Sequence, residues 1–510
     1  MHEVQPSKAR KNIIGIELGT NSTRLARFND AGKAEICYNA EGSDNTPSVI
    51  LFYRSTGVIV GTEAKKCLGA GIGGNAFAEF RRDMGTDKSW QLDNRTITPV
   101  ELTGILLKKV VTDYTEQYGE PDTIAITWPA NFRHEQREAT KEAVIRAGLN
   151  IDNVHFIEEP TAAALYYATD KPLSGKYLIY DFGGGTFDVT LIEAQGNDIT
   201  VLYQDGVQQL GGKDLDAALF KIIGDKFRSK TGDEFDAIDC NFSKLDIESA
   251  KTTLSIKDKT QIRLVSGRYG CVTIDISRNE FKAAISHLVS QTEMACENAL
   301  RCGKDDPSQY VKKTEIKEIF MCGGTSFAPA VQDSIEKLFG KKPTVKNPDQ
   351  AIALGAAIYA AINTPGLTGL QYGATVDITV SMKAPYYIGT SVISNSGSIR
   401  NETVIAKGTP IPCSVERIYS TSIDNQSNVQ FDVTQSVIEE SNPDYVQTIW
   451  KGKYTLPPGY QTDLPIKVIF SLDINGFLGV KIKIDGPNGG DDLLGIGAKL
   501  IPPGPKPISY

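Results

Sequence analysis

Two strand–turn–strand segments, about 165 residues apart, constrain the fold of this sequence more than any other feature. The first runs from Ile13 to Phe28 around the turn Gly19-Thr20-Asn21-Ser22, and the second runs from Tyr177 to Leu191 around Gly183-Gly184-Gly185. Apolar residues flank small turn residues in both, which is the pattern of a β-hairpin. A duplicated hairpin predicts two similar lobes that face one another.

The chemistry of the second turn points to phosphate. Consecutive glycines can adopt positive φ and aim several backbone N–H groups at one point. Asp181 and Asp188 flank this turn and Glu17 lies beside the first one, so carboxylates are available to hold a divalent cation or a water. Three glycines alone would fit a flexible turn equally well, but the paired carboxylates favour a phosphate clamp with a nucleotide between the lobes.

Composition limits the classes of function. A chain of 510 residues with 40% apolar and 23% charged residues is expected to form two or more folded domains. A net charge of −8 argues against binding to nucleic acid or to an anionic membrane. The polar N-terminus, the absence of an apolar run of about 20 residues and the scattered cysteines predict a reduced, cytoplasmic protein.

Helical periodicity and capping residues predict a series of helices in the first part of the chain. The predicted helices are 62–69, 99–118, 133–147, a helix opened by Pro160, one opened by Gly211-Gly212, 243–255, 277–302, 328–339 and 348–362. A carboxylate at a helix start, such as Glu159, is most often a charge matched to the helix dipole. Glu248, Lys251 and Ser255 share one helix face, which alone is typical of solvated surface.

Glycine pairs mark two further approaches to a ligand. Gly211-Gly212 is either a tight turn or part of the phosphate site. Gly323-Gly324 joins a strand to a helix N-terminus, an arrangement that suits phosphate or ribose.

Composition changes near residue 363, after which strands replace helices. We therefore predict a nucleotide-binding domain at 1–362, a linker at 363–374, an all-β domain at 375–490 and a disordered tail at 491–510.

Taken together, these segments resemble the Hsp70 chaperone family along the chain to about residue 486. The matching motifs are Gly15-Ile-Glu-Leu-Gly-Thr20, Pro129-Ala-Asn-Phe132, Gln136-Arg-Glu-Ala-Thr-Lys141, Glu159-Pro-Thr-Ala-Ala-Ala164, Asp181 to Asp188, Leu210-Gly-Gly-Lys-Asp214, Cys322-Gly-Gly-Thr325, Asn347-Pro-Asp-Gln-Ala351, Ile405-Ala-Lys407 and Asp424-Asn-Gln-Ser427. The resemblance implies an actin-like, two-lobed α/β ATPase domain built from duplicated ribonuclease-H-like units. An all-β sandwich that binds extended apolar peptides would follow it.

The resemblance also implies site residues and cofactors. ATP or ADP with Mg²⁺ would bind between the lobes, with Arg81, Glu159, Asp181 and Asp188 as catalytic residues and with Asp181 and Glu17 holding the metal through water. The residues expected to contact nucleotide are Gly19, Thr20, Asn21, Gly183, Gly184, Gly185, Thr186, Gly211, Gly212, Glu248, Lys251, Ser255, Gly323, Gly324, Thr325, Phe327 and Asp349. Pro129 and Arg137 would relay the nucleotide state to the linker, and Tyr419 and Val429 would line the peptide pocket.

The chain departs from the family pattern at several of these positions. Glu17 stands where the family has aspartate, and Arg81 stands where it has a catalytic lysine, so ATP hydrolysis is expected to be slow. Thr252 and Phe327 replace two arginines of the adenine pocket. His155 and Glu158 replace an arginine and an asparagine that contact J-proteins, which opposes J-protein binding.

Other departures concern regions beyond the catalytic site. The linker, Leu370-Gln-Tyr-Gly-Ala-Thr, lacks the acidic-bounded leucine run of the family, which argues against docking between the domains. No helical lid follows the β domain in this sequence, so fast peptide exchange is expected.

These observations predict an Hsp70-like chaperone that binds ATP, Mg²⁺ and unfolded or extended polypeptide. The alternative is a non-hydrolysing regulator or co-chaperone that acts on another Hsp70, and a nucleotide-exchange factor is a further possible partner. A sugar kinase of the same actin-like superfold shares the two hairpins, but the β domain after residue 370 argues against it.

Overall fold

The computed structural model describes residues 11–29, 31–53, 57–69, 75–93, 95–169, 173–195, 198–302, 307–365, 367, 379–380, 382–393, 397–421, 426–456, 464–484 and 492–493. These residues form two compact units of a mixed α/β protein. The first unit comprises 11–130 and 143–379, and the second comprises 131–142 and 380–493, within those limits.

Strands and helices alternate along the first part of the chain. The strands are β1 (Ile13–Leu18), β2 (Ser22–Phe28), β3 (Ala34–Ile36), β4 (Thr46–Pro47), β5 (Val49–Tyr53), β6 (Gly57–Val60), β7 (Ala76–Ala78), β8 (Trp90–Leu92), β9 (Arg95–Ile97), β10 (Thr123–Trp128), β11 (Val154–Glu158), β12 (Ser174–Phe182), β13 (Phe187–Gln195), β14 (Asp198–Val207), β15 (Lys259–Ser266), β16 (Gly270–Ser277), β17 (Ile316–Cys322) and β18 (Thr379–Val380). The helices are α1 (Thr62–Gly69), α2 (Pro99–Tyr118), α3 (His134–Arg146), α4 (Glu159–Ala168), α5 (Gly212–Thr231), α6 (Lys244–Ile256), α7 (Arg278–Arg301), α8 (Pro329–Phe339) and α9 (Ala351–Ile362).

The two large sheets of the first unit share one plan. The strand order of the first sheet is β11-β10-β1-β2-β3, with β4 paired to β2, and that of the second sheet is β17-β12-β13-β14-β18. In each sheet an antiparallel hairpin, β1–β2 or β12–β13, has a parallel strand on the side of its first strand, β10 or β17. The duplicated hairpin predicted from the sequence is confirmed.

Two glycines allow α9 to pack closely against the elements that carry the site. A Cβ at Gly15 in β1 would clash with the backbone of α9 at Ala357, and a Cβ at Gly355 in α9 would clash with the carbonyl of Ala162 in α4. Such approaches are possible only where no side chain intervenes. The packing holds β1 and the start of α4, which bears Glu159, in fixed positions.

The predicted helices are present, with one instructive difference. The last one begins at Ala351 rather than 348, because Asn347 adopts a left-handed conformation with φ 43° and Pro348 follows it. None of the helices in the described ranges is long and apolar enough to span a lipid bilayer.

The second unit contains two four-stranded sheets around one core. Its strands are β19 (Tyr387–Ile393), β20 (Ile399–Ile405), β21 (Cys413–Ser420), β22 (Asn428–Ser436), β23 (Gln447–Thr455), β24 (Pro465–Leu472), β25 (Leu478–Ile484) and β26 (Asp492–Leu493). The orders are β20-β19-β22-β23 and β21-β24-β25-β26. Val433 from the first sheet and Val468 and Phe470 from the second lie in the same buried cluster.

Several predictions fall on residues that the structure does not describe. Residues 366 and 368–374 of the predicted linker lie outside the described ranges, as do Asp424 and Asn425 of the quoted motif. Within the segment predicted to be disordered, 491–510, only Asp492–Leu493 is described, and it pairs with β25 as a strand.

Candidate functional site

The turns of the two hairpins lie against each other. The side chain of Asn21 occupies the space next to Gly184 so closely that a Cβ on Gly184 would clash with it. Each turn is held from its own side, since Ser48 Oγ donates to the Gly19 carbonyl at 2.9 Å and the Gly183 N–H donates to the Thr186 carbonyl at 3.1 Å. The structure thus brings Gly19, Thr20 and Asn21 to the same place as the triple-glycine turn.

The carbonyl edge of the triple-glycine turn is occupied by protein donors. The Gly183 carbonyl accepts from the Gly212 N–H at 3.0 Å and from Thr325 Oγ1 at 2.8 Å, and the Gly184 carbonyl accepts from the Lys213 N–H at 3.0 Å. Arg82 Nη2 donates to the Gly185 carbonyl. Because the N–H of a trans peptide points away from its C=O, the amides that follow these carbonyls are directed to the opposite side of the turn.

The predicted acidic residues are clustered. Asp181 and Asp188 are direct cross-strand partners in the hairpin, and Glu159 is the first residue of α4. Burial raises the pKa of Asp181 well above its usual value, and the charges of Asp188 and Glu17 add to the increase. Burial, with a further contribution from Asp181, likewise raises the pKa of Glu159.

The other two acids respond to nearby partners as well as to burial. The pKa of Asp188 is raised to about 7 by burial, although a hydrogen bond from Thr186 opposes the shift. The pKa of Glu17 is also raised to about 7 by burial, against the attraction of Arg24 and Arg81. A cluster of acids that resists ionisation is the electrostatic environment that a bound cation would relieve.

Arg81 is a buried cation next to these acids. Arg81 belongs to a 3₁₀ helix, Phe80–Asp83, and the residue is only 4% exposed. Burial lowers its pKa to about 10 in spite of the favourable charges of Glu159 and Glu17. Arg81 Nε and Nη2 and Glu17 Oε2 are buried and have no hydrogen-bond partner among the described residues. Unpaired groups of this kind cost about 1–3 kcal/mol each, so they indicate a place where a ligand or water completes the site.

Glu248, Lys251 and Ser255 are only partly brought to the turns. Lys251 Nζ donates to the Gly212 carbonyl at 3.1 Å and pairs with Asp216 at 2.8 Å, so it reaches the start of α5 beside the triple-glycine turn. Glu248 pairs with Lys65 of α1 at 2.7 Å, and Ser255 Oγ donates back to the Lys251 carbonyl at 3.3 Å.

The Gly323-Gly324 turn borders the acidic cluster. Gly323 has φ +78°, and a Cβ there would lie 2.7 Å from Asp181 Oδ1, so a side chain is not tolerated. Apart from its chain neighbours, no described residue lies within 4 Å of a Cβ position at Gly324. Phe327 is 45% exposed at the end of the short helix that follows.

Sequence reasoning missed two arginines of the site, Arg24 and Arg82. Arg24 bonds Asp349 at 2.9 Å and faces Glu17 across the β1–β2 hairpin. Arg82 holds the Gly185 carbonyl. Hairpin alternation places Arg24 on the face of Glu17 and could have revealed it, whereas the partner of Arg82 is about 100 residues away and gives no local signal.

The remaining predicted residues lie elsewhere. Pro129 follows β10 in the first unit, whereas Arg137 belongs to α3 and to the second unit, where its Nε donates to the Phe132 carbonyl at 3.0 Å. Tyr419 in β21 and Val429 in β22 come from different sheets, and both are partly buried against the shared core.

Direct metal coordination by the protein alone has no support here. Within the described ranges, no three His, Cys, Asp or Glu side chains converge closely enough to form a metal cage. The acids fit a cation that is held largely through water and phosphate oxygens, which is the usual preference of Mg²⁺.

Comparison with known proteins agrees with this architecture. The family model described as Hsp70 protein matches residues 13–98 and 86–489. The chaperone protein DnaK of Thermotoga petrophila is 35% identical over 492 residues, which cover 94% of this chain and 79% of that protein. DnaK of Thermosipho melanesiensis is 33% identical over 491 residues, covering 94% of this chain and 79% of that protein. This chain therefore belongs to the Hsp70 family of chaperones.

Proposed function

We propose that the first unit is an actin-like, two-lobed nucleotide-binding domain made of duplicated ribonuclease-H-like units. The second unit is then a β-sandwich for extended polypeptide. The shared plan of the two large sheets supports the duplication, since both place a hairpin beside a parallel strand. Two four-stranded sheets around one core support the sandwich.

ATP or ADP binds between the two hairpin turns in this proposal. The observation that carries it is the contact of Asn21 with Gly184, because it brings two glycine-containing turns together beside the buried acids and Arg81. The N–H edge of Gly184 to Thr186 suits the phosphates, with Gly19 and Thr20 opposite. Lys251, Gly323 and Asp349 border the nucleoside side.

Mg²⁺ fits the acidic cluster as the partner of these phosphates. Asp181 and Glu17 would hold it through water, and its positive charge would offset the burial that raises the pKa of both carboxyl groups. When bound, it neutralises charge on the phosphate oxygens. Glu159 and Asp188 orient the attacking water, and Arg81 supplies positive charge to the oxygens of the transferring phosphoryl group.

Hydrolysis in this site is slow. Glu17 carries one methylene more than aspartate, and a displacement of about 1 Å at a reacting centre can cost about 10²-fold in rate. Arg81 presents a planar fork rather than a compact ammonium. Nε and Nη2 of Arg81 have no hydrogen-bond partner among the described residues, which is consistent with a guanidinium that forms these hydrogen bonds only to a bound phosphate.

The sandwich acts on unfolded or extended chains, with Tyr419 and Val429 at the apolar pocket. Pro129 and Arg137 communicate the nucleotide state. The partners are general to the family: unfolded polypeptides, and another Hsp70 or a nucleotide-exchange factor, with J-proteins disfavoured by His155 and Glu158.

Single-turnover hydrolysis of bound ATP tests the chemistry. Slow but measurable formation of ADP on the purified chain supports a chaperone ATPase. If bound ATP stays intact, the chain is not a chaperone ATPase, and the second candidate, a non-hydrolysing regulator, is favoured. The observation that supports this second candidate is the presence of Glu17 and Arg81 at the proposed catalytic positions.

A further inference from the structure

Arg24 occupies a buried position between two carboxylates of the nucleotide cleft. It is the cross-strand partner of Glu17, and its Nη2 bonds Asp349 Oδ2 at 2.9 Å. The side chains of Arg24 and Asp349 are 12% and 21% exposed, so water screens the pair only weakly. Arg24 Nε is buried and has no hydrogen-bond partner among the described residues.

Asp349 belongs to a short segment, residues 347–350, that leads into α9. This segment starts with a left-handed residue, Asn347, whose Nδ2 donates to Tyr166 Oη at 2.9 Å. It ends with Gln350, whose Nε2 donates to Asp44 Oδ2 at 3.2 Å. The bond from Arg24 therefore anchors Asp349 within this segment.

The segment in turn holds the Gly323 turn. The carbonyl of Pro348, next to Asp349, accepts the Gly323 N–H at 2.7 Å. Gly323 lies against Asp181 and the carbonyl of Phe182, where no side chain fits. A continuous path of contacts thus leads from Arg24 through Asp349 and Pro348 to the glycine turn beside the acidic cluster.

Loss of the guanidinium would do more than remove one bond. Glu17 and Asp349 are close enough for their negative charges to repel one another, and Arg24 is the cation that separates them. Without it, the middle of segment 347–350 would be pushed away from β1, while its ends stayed attached to Tyr166 and Asp44.

We propose that Arg24 is a positioning residue of the nucleotide site, which acts through Asp349 to fix the Gly323 turn and thereby slows nucleotide dissociation. This inference rests on the proposed nucleotide site. In this proposal Arg24 does not contact the nucleotide, and it slows nucleotide dissociation through segment 347–350.

A double-mutant cycle on Mg-ADP dissociation tests the proposal. Stopped-flow release of fluorescent ADP is measured for the wild type, Arg24→Met, Asp349→Ala and the double variant. We expect Arg24→Met to speed release about tenfold, or about 1.4 kcal/mol, and to have no further effect once Asp349 is alanine. Arg24→Lys should restore most of the wild-type rate, because its ammonium can still pair with Asp349. Arg27→Met is the matched control on the same strand, since Arg27 pairs with Glu35 instead, and its release rate should equal that of the wild type.

Each result bears on one claim. Additive effects of Arg24→Met and Asp349→Ala would mean that Arg24 contacts the nucleotide directly and would overturn the positioning role. Unchanged release from Arg24→Met would overturn it as well. Failure of the wild type to bind Mg-ADP would instead refute the proposed nucleotide site. If Arg24→Met does not fold, as judged by thermal unfolding, Asp349→Ala and Arg24→Lys carry the test, and an Asp349→Ala release rate equal to that of the wild type contradicts the proposal.

Discussion

Asn21 and Gly184, which lie in the turns of hairpins from two different sheets, are packed so tightly that a single methyl group on Gly184 would not fit between them. The same unit contains four buried carboxyl groups with raised pKa values and Arg81, whose Nε and Nη2 have no hydrogen-bond partner among the described residues. The proposed function follows from this combination.

The rate of hydrolysis should respond to the two unusual residues of the site. We expect Glu17→Asp combined with Arg81→Lys to accelerate single-turnover ATP hydrolysis by up to about 10²-fold, because both changes shorten or compact the group that faces the phosphate. Glu234→Asp with Arg228→Lys is the matched control, since it makes the same two changes in an exposed ion pair. An unchanged rate in the first pair would argue that these residues do not limit turnover.

In the protein without nucleotide or metal, the contribution of Glu17 to stability should become less favourable as pH rises from about 4.5 to about 7. The pKa of Glu17 is raised to about 7 in the folded state from its ordinary value of 4.5, so the folded state binds the proton more tightly than the unfolded state. Above about pH 7 both states have lost the proton and the penalty is constant. Glu17→Gln should therefore increase the free energy of unfolding at pH 8 by about 1–3 kcal/mol, as measured by urea denaturation in EDTA.

The contribution of Glu280 to stability should change with pH in the opposite direction to that of Glu17. Hydrogen bonds from Lys226 and Ser277 lower the pKa of Glu280 to about 2. Its contribution is present above about pH 4.5 and is lost as pH falls toward 2, so Glu280→Gln should reduce stability at neutral pH. An increase in the free energy of unfolding of Glu280→Gln at pH 8, like the increase expected for Glu17→Gln, would contradict the lowered pKa of Glu280.

Tyr419→Phe should stabilise the second unit. Tyr419 Oη is buried and has no hydrogen-bond partner among the described residues, so its removal relieves a desolvation penalty of about 1 kcal/mol. Thr434→Val is the control within the same unit, because Thr434 Oγ1 donates to Asn401 Oδ1 at 2.6 Å and its loss should destabilise. Equal destabilisation by the two variants in denaturant unfolding would show that Tyr419 Oη has a partner after all.

Local sequence patterns predicted the scaffold of the site well. The two hairpins follow from alternating apolar residues around small turns, and α2 begins at Pro99 as predicted, where the structure shows Thr98 and Glu101 forming a capping box. Asp181 and Asp188 could be placed together because they flank one turn and become cross-strand partners.

Contacts between distant segments could not be predicted in the same way. The bond from Arg24 to Asp349 joins residues 325 positions apart, and it depends on how α9 packs against β1 and β2. The face formed by Glu248, Lys251 and Ser255 resembles solvated surface in the sequence, because the Gly212 carbonyl that receives Lys251 is supplied by another helix. Buried polar partners of this kind are determined by tertiary packing, and they cannot be predicted from local periodicity.

Equilibrium binding of Mg-ADP, measured by titration calorimetry, tests the central claim most directly. The account predicts one site for Mg-ADP in the wild type. Gly184→Val should lose about 100-fold in affinity, or about 2.7 kcal/mol, because the added side chain must displace Asn21 and distort the triple-glycine turn. Gly224→Ala in α5 is the control, since its nearest neighbour, Phe235 Cβ, would lie 3.7 Å from the new methyl group and binding should be unchanged. Absence of binding in the wild type, or undiminished binding in Gly184→Val, would contradict the account.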